Sequence, residues 1–300
     1  MKSDTAAASP TAQANWLAPV PLFFVLLWST GFIAAKYGLP YAPPLSFLIL
    51  RCVGAVLVLL PVVLLTRAPW PRGRMLHVAV AGLLLQAGYL GGVWSAIKLG
   101  MPAGLSALVV GLQPILTAFA APLVGERVSP RQWLGLLLGL SGVALVVYAR
   151  LSLHALAPAA VLLCVLALVS ITAGTLYQKR FCPTFDLRTG TVIQFAASAL
   201  LMLPLAVLEE GFDLRLINIQ WTAQFVGALL WSILALSIGA IFLLFRLISR
   251  NDATRVTSLL YLTPPTTALM AWLMFGESLS ILGLLGMAVA VAGVAFVVKK

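Results

Sequence analysis

The 300 residues are 62% apolar and only 9% charged, with a mean hydropathy of +1.07. A soluble fold of this length needs a charged surface that this composition cannot supply, whereas bilayer hydrocarbon removes that need. The formal charge of +11 does not point to nucleic acid, because the basic residues stand singly or in small groups between apolar runs and form no aromatic-interleaved patch.

Residues 1–15 are polar, rich in Ala, Ser and Thr, and hold a single Lys. They read as a disordered cytoplasmic N-terminus. The first apolar run is too long for a cleaved leader and leads directly into a second, so it is expected to be retained. Apolar runs then follow one another at 17–35, 45–65, 75–97, 103–124, 131–149, 157–178, 189–208, 221–245, 254–275 and 279–298. In lipid every backbone amide must be paired internally, and runs of about 20 residues are too long for barrel strands. The expected fold is therefore all-α and integral to the membrane, with ten transmembrane helices.

The basic residues orient these spans. With the N-terminus inside, Lys2, Arg67, Arg72, Arg74, Arg127, Arg131, Lys179, Arg180, Arg188, Arg246, Arg250, Arg255, Lys299 and Lys300 are cytoplasmic. Only Lys36, Lys98, Arg150 and Arg215 fall on the other side, and Arg51 lies within the second run. The positive-inside rule thus places both termini in the cytoplasm. A bacterial inner (plasma) membrane is the expected location, with the lipid bilayer as the obligatory partner and no nucleic acid.

Residues 104–147 overlie 255–298 without a gap, at half the chain length. Pro114 meets Pro265, Gly125-Glu126 meets Gly276-Glu277, Ser129 meets Ser280, and Gly135 and Gly142 meet Gly286 and Gly293. A weaker echo sets Gly31 and Lys36 beside Gly174 and Lys179. The expected organisation is a five-helix repeat over 16–150 and a second over 151–300. Five is odd, so the second repeat must run inverted, an arrangement that places one site between the halves and suits alternating access.

The series Leu112-Gln113-Pro114, Gly125-Glu126, Gly135, Gly142 and its recurrence as Thr263-Pro264-Pro265, Gly276-Glu277, Gly286, Gly293 resembles the EamA-type branch of the drug/metabolite transporter superfamily. Trp28-Ser29-Thr30-Gly31-Phe32 resembles that family's first-helix motif, and Leu50-Arg51 its second-helix arginine. The sixth run, with Gly174-Thr175-Leu176-Tyr177, departs from the aromatic frequent there. The resemblance implies export of small amphiphilic metabolites, aromatic or hydroxylated amino acids foremost, with purines or nucleotide-like solutes as the alternative. It also implies that the last helix of each half lies outside the transport path.

Pro114, Pro264 and Pro265 sit within apolar runs, where a proline frees a carbonyl and kinks the helix. The residues expected to line a substrate site are Trp28, Phe32, Gln86, Tyr89, Trp94, Gln113, Thr175, Tyr177, Trp231, Tyr261 and Thr263, which join aromatic walls to a few amides and hydroxyls. Lipid-facing or core packing is the competing reading for each one. Trp28 and Phe32 share a helical face, as do Gln86 and Tyr89. Arg51, two turns into its helix, either binds a carboxylate or supports a helix end. Glu126 and Glu277 read as caps or gates. No cofactor or metal is expected, and Cys52, Cys164 and Cys182 read as packing residues. The Gly135-x3-Gly139 element permits close helix approach within the chain or in a homodimer, leaving monomer and dimer both open. An intramembrane enzyme is the rival class. It is disfavoured because His77 and His154 lie at run ends and no HExxH or Gly-x-Ser-x-Gly occurs.

Overall fold

A computed structural model describes residues 19–120, 122, 128–151, 157–213, 216, 218–243, 247, 259–276, 278 and 280–298. The N-terminal stretch, Glu126, Glu277 and His154 lie outside this set, as do the basic residues Arg127, Arg215, Arg246, Arg250, Arg255, Lys299 and Lys300. The described chain is helical throughout. Seven helices are long and apolar enough to cross a membrane. These are α1 (Pro19–Gly38), α2 (Pro44–Leu65), α3 (Met75–Lys98), the pair α4 (Ala103–Val110) and α5 (Gln113–Ala120), α7 (Pro158–Phe181), α8 (Leu187–Glu210) and α9 (Ala223–Leu243). Three further helices, α6 (Pro130–Leu151), α10 (Thr263–Phe275) and α11 (Ile281–Val298), occupy the remaining apolar runs.

The outward faces are as apolar as the core. Leu65, Leu208 and Ile281 are 85%, 79% and 79% exposed. No aqueous surface tolerates so continuous an apolar exterior, so lipid is the medium. The interior is filled by Phe47, Trp94, Phe195 and Phe225, with Phe47 tilted against Trp94 at 4.6 Å and edge-on to Phe225 at 5.3 Å.

The helices pair in a recurrent manner. Helix α2 packs along α8, α4 along α10, and α6 along α11. Each pair runs antiparallel. Glu210 at the end of α8 accepts hydrogen bonds from the Leu45 and Ser46 amides at the start of α2, both at 2.8 Å, and from the Ser46 hydroxyl. At the opposite end Arg188 donates to Thr66 Oγ1. A carboxylate on a helix N-terminus satisfies orphan amides and complements the helix dipole. Asp186 caps α8 itself, and the Arg188 guanidinium beside it holds its carboxyl below the usual carboxylate range.

The α6–α11 contact is made backbone to backbone. A Cβ on Gly142 would meet the Gly286 carbonyl and lie 2.6 Å from the Ala290 nitrogen. One on Gly293 would lie 2.6 Å from the Gly135 carbonyl oxygen and from the Gly139 nitrogen. The contact is reciprocal, since positions equivalent in sequence exchange roles across it. The small-residue face of Gly135 and Gly139 is thus occupied inside the chain. Gly276, at φ +65°, takes the left-handed conformation that ends α10, which accounts for the glycine of that Gly-Glu pair.

Within α3 and α9 the stretches Leu83–Gly88 and Ser232–Ala240 are π-helical. Each packs against a helix from the other half of the sequence, the first against α8 and the second against α2.

Because the α6–α11 neighbours are main-chain atoms that cannot swing aside, Gly142→Ala and Gly293→Ala should each destabilise the protein by about 1–3 kcal/mol. Gly227→Ala, with open space around its Cβ position, should leave the melting temperature unchanged or slightly higher. Thermal melts in detergent read all three.

Candidate functional site

The fourth apolar run is not one kinked helix. Helix α4 stops at Val110, Gly111 and Leu112 form a turn, and α5 restarts at Gln113 with Pro114 in its first turn. Of the ninth run, the part from Leu259 onward is described. A 3-10 turn over Leu260–Leu262 leads into α10, whose first residues are Thr263, Pro264 and Pro265. The prolines therefore open half-helices, where a missing N–H removes a donor that would have no helical partner. The two breaks touch, since a Cβ on Gly111 would lie 2.7 Å from Pro264 Cγ.

A cavity lies at this junction, lined by Trp28 and Phe32 of α1, Tyr89 of α3, Ala107 and Val110 of α4, Gly111, Gln113 of α5, Ile171 of α7, Leu260 and Thr263. Its volume is about 10 Å³, room for about one water molecule. Trp28, Phe32 and Tyr89 supply its aromatic lining. Gln113 is fixed by donating from Nε2 to Thr175 Oγ1 at 3.0 Å, and Thr175 in turn donates to the Ile171 carbonyl at 2.7 Å. Thr263 is 4% exposed and its hydroxyl has no hydrogen-bond partner among the described residues. Tyr89 is the one titratable side chain among the lining residues.

Of the residues expected from sequence, Trp28, Phe32, Tyr89, Gln113 and Thr263 meet at this cavity, and Thr175 stands directly behind Gln113. Trp94 does not reach it and packs on Phe47 in the interior. Trp231 is half-exposed toward lipid, its Nε1 donating to Thr30 Oγ1 at 2.8 Å. Tyr177 lies further along α7, 2.7 Å from His77 Nδ1, in a cluster where His77 stacks on Phe181. Tyr261 has its backbone in the 3-10 turn, and its side chain lies outside the described set.

Gln86 and Tyr89 were expected on one face. Gln86 instead falls inside the π-helical stretch, whose wider turn shifts the register, and it is not among the cavity-lining residues. It is buried, with its Oε1 unpaired. Ala107, Val110, Gly111, Ile171 and Leu260 line the cavity without any signal in sequence, since an apolar liner looks like any other apolar helix residue.

Arg51 is 5% exposed within the bundle. Its Nε donates to Ser237 Oγ at 2.7 Å, and the Ser237 hydroxyl donates to the Ser232 carbonyl at 2.8 Å. The arginine thus joins α2 to the π-helical stretch of α9. Ser170 serves the other π-helical stretch, donating to the Leu84 carbonyl at 2.8 Å.

Broken half-helices that meet at an aromatic, amide-bearing cavity inside a lipid-facing bundle define a multi-pass membrane transporter. The model of the EamA-like transporter family matches residues 17–148 and again 158–299, and the chain belongs to that family, within the drug/metabolite transporter superfamily. A probable amino-acid metabolite efflux pump of Salmonella typhimurium is 29% identical over 280 residues, covering 91% of both chains. The transporter YvbV of Bacillus subtilis is 28% identical over 286 residues, covering 93% of this chain and 90% of the relative. The inner membrane transporter YedA of Escherichia coli (strain K12) is 28% identical with the same coverage, 93% and 90%. A solved crystal structure shares the fold, with a TM-score of 0.69 at 22% identity over 94% of this chain and 97% of that one.

The Gln113–Thr175 bond ties α5 to α7 beside the cavity. Gln113→Leu and Thr175→Val should each lower the melting temperature. The double variant should be less destabilised than their sum by about 1 kcal/mol, as a double-mutant cycle reads out.

Proposed function

We propose that this protein exports small amphiphilic metabolites, aromatic or hydroxylated amino acids foremost, as a secondary transporter that alternates access between two inverted five-helix halves. On this reading ten spans divide into 16–150 and 151–300, with both termini cytoplasmic and the cavity at Trp28, Tyr89 and Gln113 as the transport site. The observation that carries it is the pairing of α2 with α8, α4 with α10 and α6 with α11, antiparallel in each case. These are the pairs that an inverted repeat brings together across its axis, and the reciprocal Gly142 and Gly293 contacts have the form such an axis requires.

The cavity chemistry supports the solute class. Aromatic faces and a fixed amide with a free hydroxyl suit a solute having both an apolar body and hydrogen-bonding groups. At about 10 Å³ the space holds no metabolite, so a solute enters only as the helices around the Gly111–Pro264 junction part. Efflux pumps of amino-acid metabolites among the relatives favour amino acids over purines. The family and its named relatives transport rather than catalyse, which points away from an enzyme.

Liposomes that carry the purified protein and are loaded with radiolabelled threonine or phenylalanine should release both faster than protein-free liposomes loaded alike, and absence of flux for every small metabolite tried would remove the proposal. Trp28→Ala and Tyr89→Ala should change the phenylalanine-to-threonine flux ratio by about tenfold or more at near-normal protein yield. An equal loss of yield in both variants would mark the pair as packing residues. Accessibility tags at the two termini should label from the same, cytoplasmic, side. Labelling from opposite sides would rule out an even number of spans.

A further inference from the structure

We infer that the Arg51 guanidinium is the carboxylate anchor of the transported solute, which makes the substrate an organic acid or zwitterion rather than a neutral or purely cationic molecule. The inference rests on the transport site proposed above and goes one step deeper, to the group that the site recognises.

A guanidinium brings five N–H donors and a permanent charge into the bundle. Among the described residues only its Nε is engaged, by Ser237, and no carboxylate lies within ion-pair distance. The described acidic residues, Asp186, Glu209, Glu210 and Asp213, stand at or beyond the ends of α8. Arg51 is the eighth residue of α2, about 10 Å below the start of that helix, where snorkelling to the surface is out of reach for a side chain 5% exposed. Its two terminal nitrogens therefore present the paired, planar donors that match a carboxylate.

The surroundings set this charge near the cavity. Cys52, the next residue of α2, packs in one buried cluster with Phe32 and Tyr89, both of which line the cavity. The half-helix N-termini at the junction would otherwise be the natural anion sites, but Pro114, Pro264 and Pro265 have removed donors from both. None of the lining residues is charged, so a carboxylate entering here takes its strong donors from Arg51, the neighbour of Cys52 in that cluster. The ammonium of a zwitterion then faces Trp28, Phe32 and Tyr89, whose ring faces attract a cation without an acidic residue.

The rival role is purely structural, with Arg51 serving only to hold the π-helical stretch through Ser237. Proteoliposome flux separates the two. Phenylalanine and threonine are compared with phenylalaninamide and threonine amide, which keep the ammonium and side chain but lack the carboxylate, for the wild type, Arg51→Gln, Arg51→Lys and Ser237→Ala. The wild type should move the acids and discriminate against the amides. Arg51→Gln should lower kcat/KM for the acids about 30-fold or more while leaving amide flux nearly unchanged, so that discrimination collapses. Arg51→Lys should recover part of the acid flux, and Ser237→Ala should lower acid and amide flux together.

Equal loss of acid and amide flux in Arg51→Gln would overturn the anchor and leave the exporter reading standing. Should Arg51→Gln fail to fold, competition on the wild type decides. Excess unlabelled threonine should block phenylalanine flux and excess threonine amide should not, and equal block by both would overturn the anchor. A wild type with no flux of any kind would remove the exporter reading and the anchor with it.

Discussion

An unpaired backbone amide in hydrocarbon costs several kcal/mol, and this one constraint decides where the chain can stop being a helix. Among the described residues it is interrupted within apolar runs at Gly111–Leu112 and by the 3-10 turn ahead of Thr263, and the two places abut. Gly111 and Leu260 are buried, and the two breaks share the small cavity with α1, α3 and α7. The prolines belong to the same economy. Placed in the first turns of α5 and α10, they delete amides that the helix could not pair, and so lower the cost of exposing those ends.

The same constraint explains the side-chain to backbone bonds at the π-helical stretches. A π-helical turn leaves carbonyls imperfectly paired, and hydroxyls repair them: Ser170 of α7 serves Leu84 in α3, while Ser237 turns back on Ser232 within α9. Ser198 of α8 likewise donates to the Gly82 carbonyl at 3.0 Å, at the entrance to the first π-helical stretch. Each irregular segment is thus tied to a helix from the other half of the sequence, so displacing one half relative to the other acts on these segments first.

Much of this was legible in the sequence because lipid makes hydropathy a blunt and reliable signal. The run positions predicted the helices, and the repeated Pro and Gly positions marked both the breaks and the close contact of α6 with α11. The cavity wall was legible where a polar or aromatic residue stood within a run, as for Trp28, Phe32, Tyr89, Gln113 and Thr263. Trp94 and Trp231 share that signature yet sit in the interior and at the lipid face, since helical spacing tells which residues share a face but not what the face meets. The π-helical stretches were invisible, because inserting a residue into a turn is decided by tertiary packing and has no composition of its own. Glu210 capping α2 was equally hidden, its partners being 164 and 165 residues away.

The packing is reciprocal where the backbone decides it and unequal where side chains do. Arg51 and Gln194 are each the eighth residue of their helices, α2 and α8, and each faces the irregular segment of the opposite half. In one case a guanidinium bonds to Ser237. In the other Gln194 bonds to Gln178 of α7 at 2.9 Å, with no charge involved. Under the inverted arrangement proposed above, such pairing would give two arrangements of similar energy, which alternating access requires. In that proposal the arginine breaks the equality, since α2 carries a positive charge where α8 carries the uncharged Gln194. An anionic group bound there interacts differently with the two arrangements, and only such a difference lets a solute shift the balance between them.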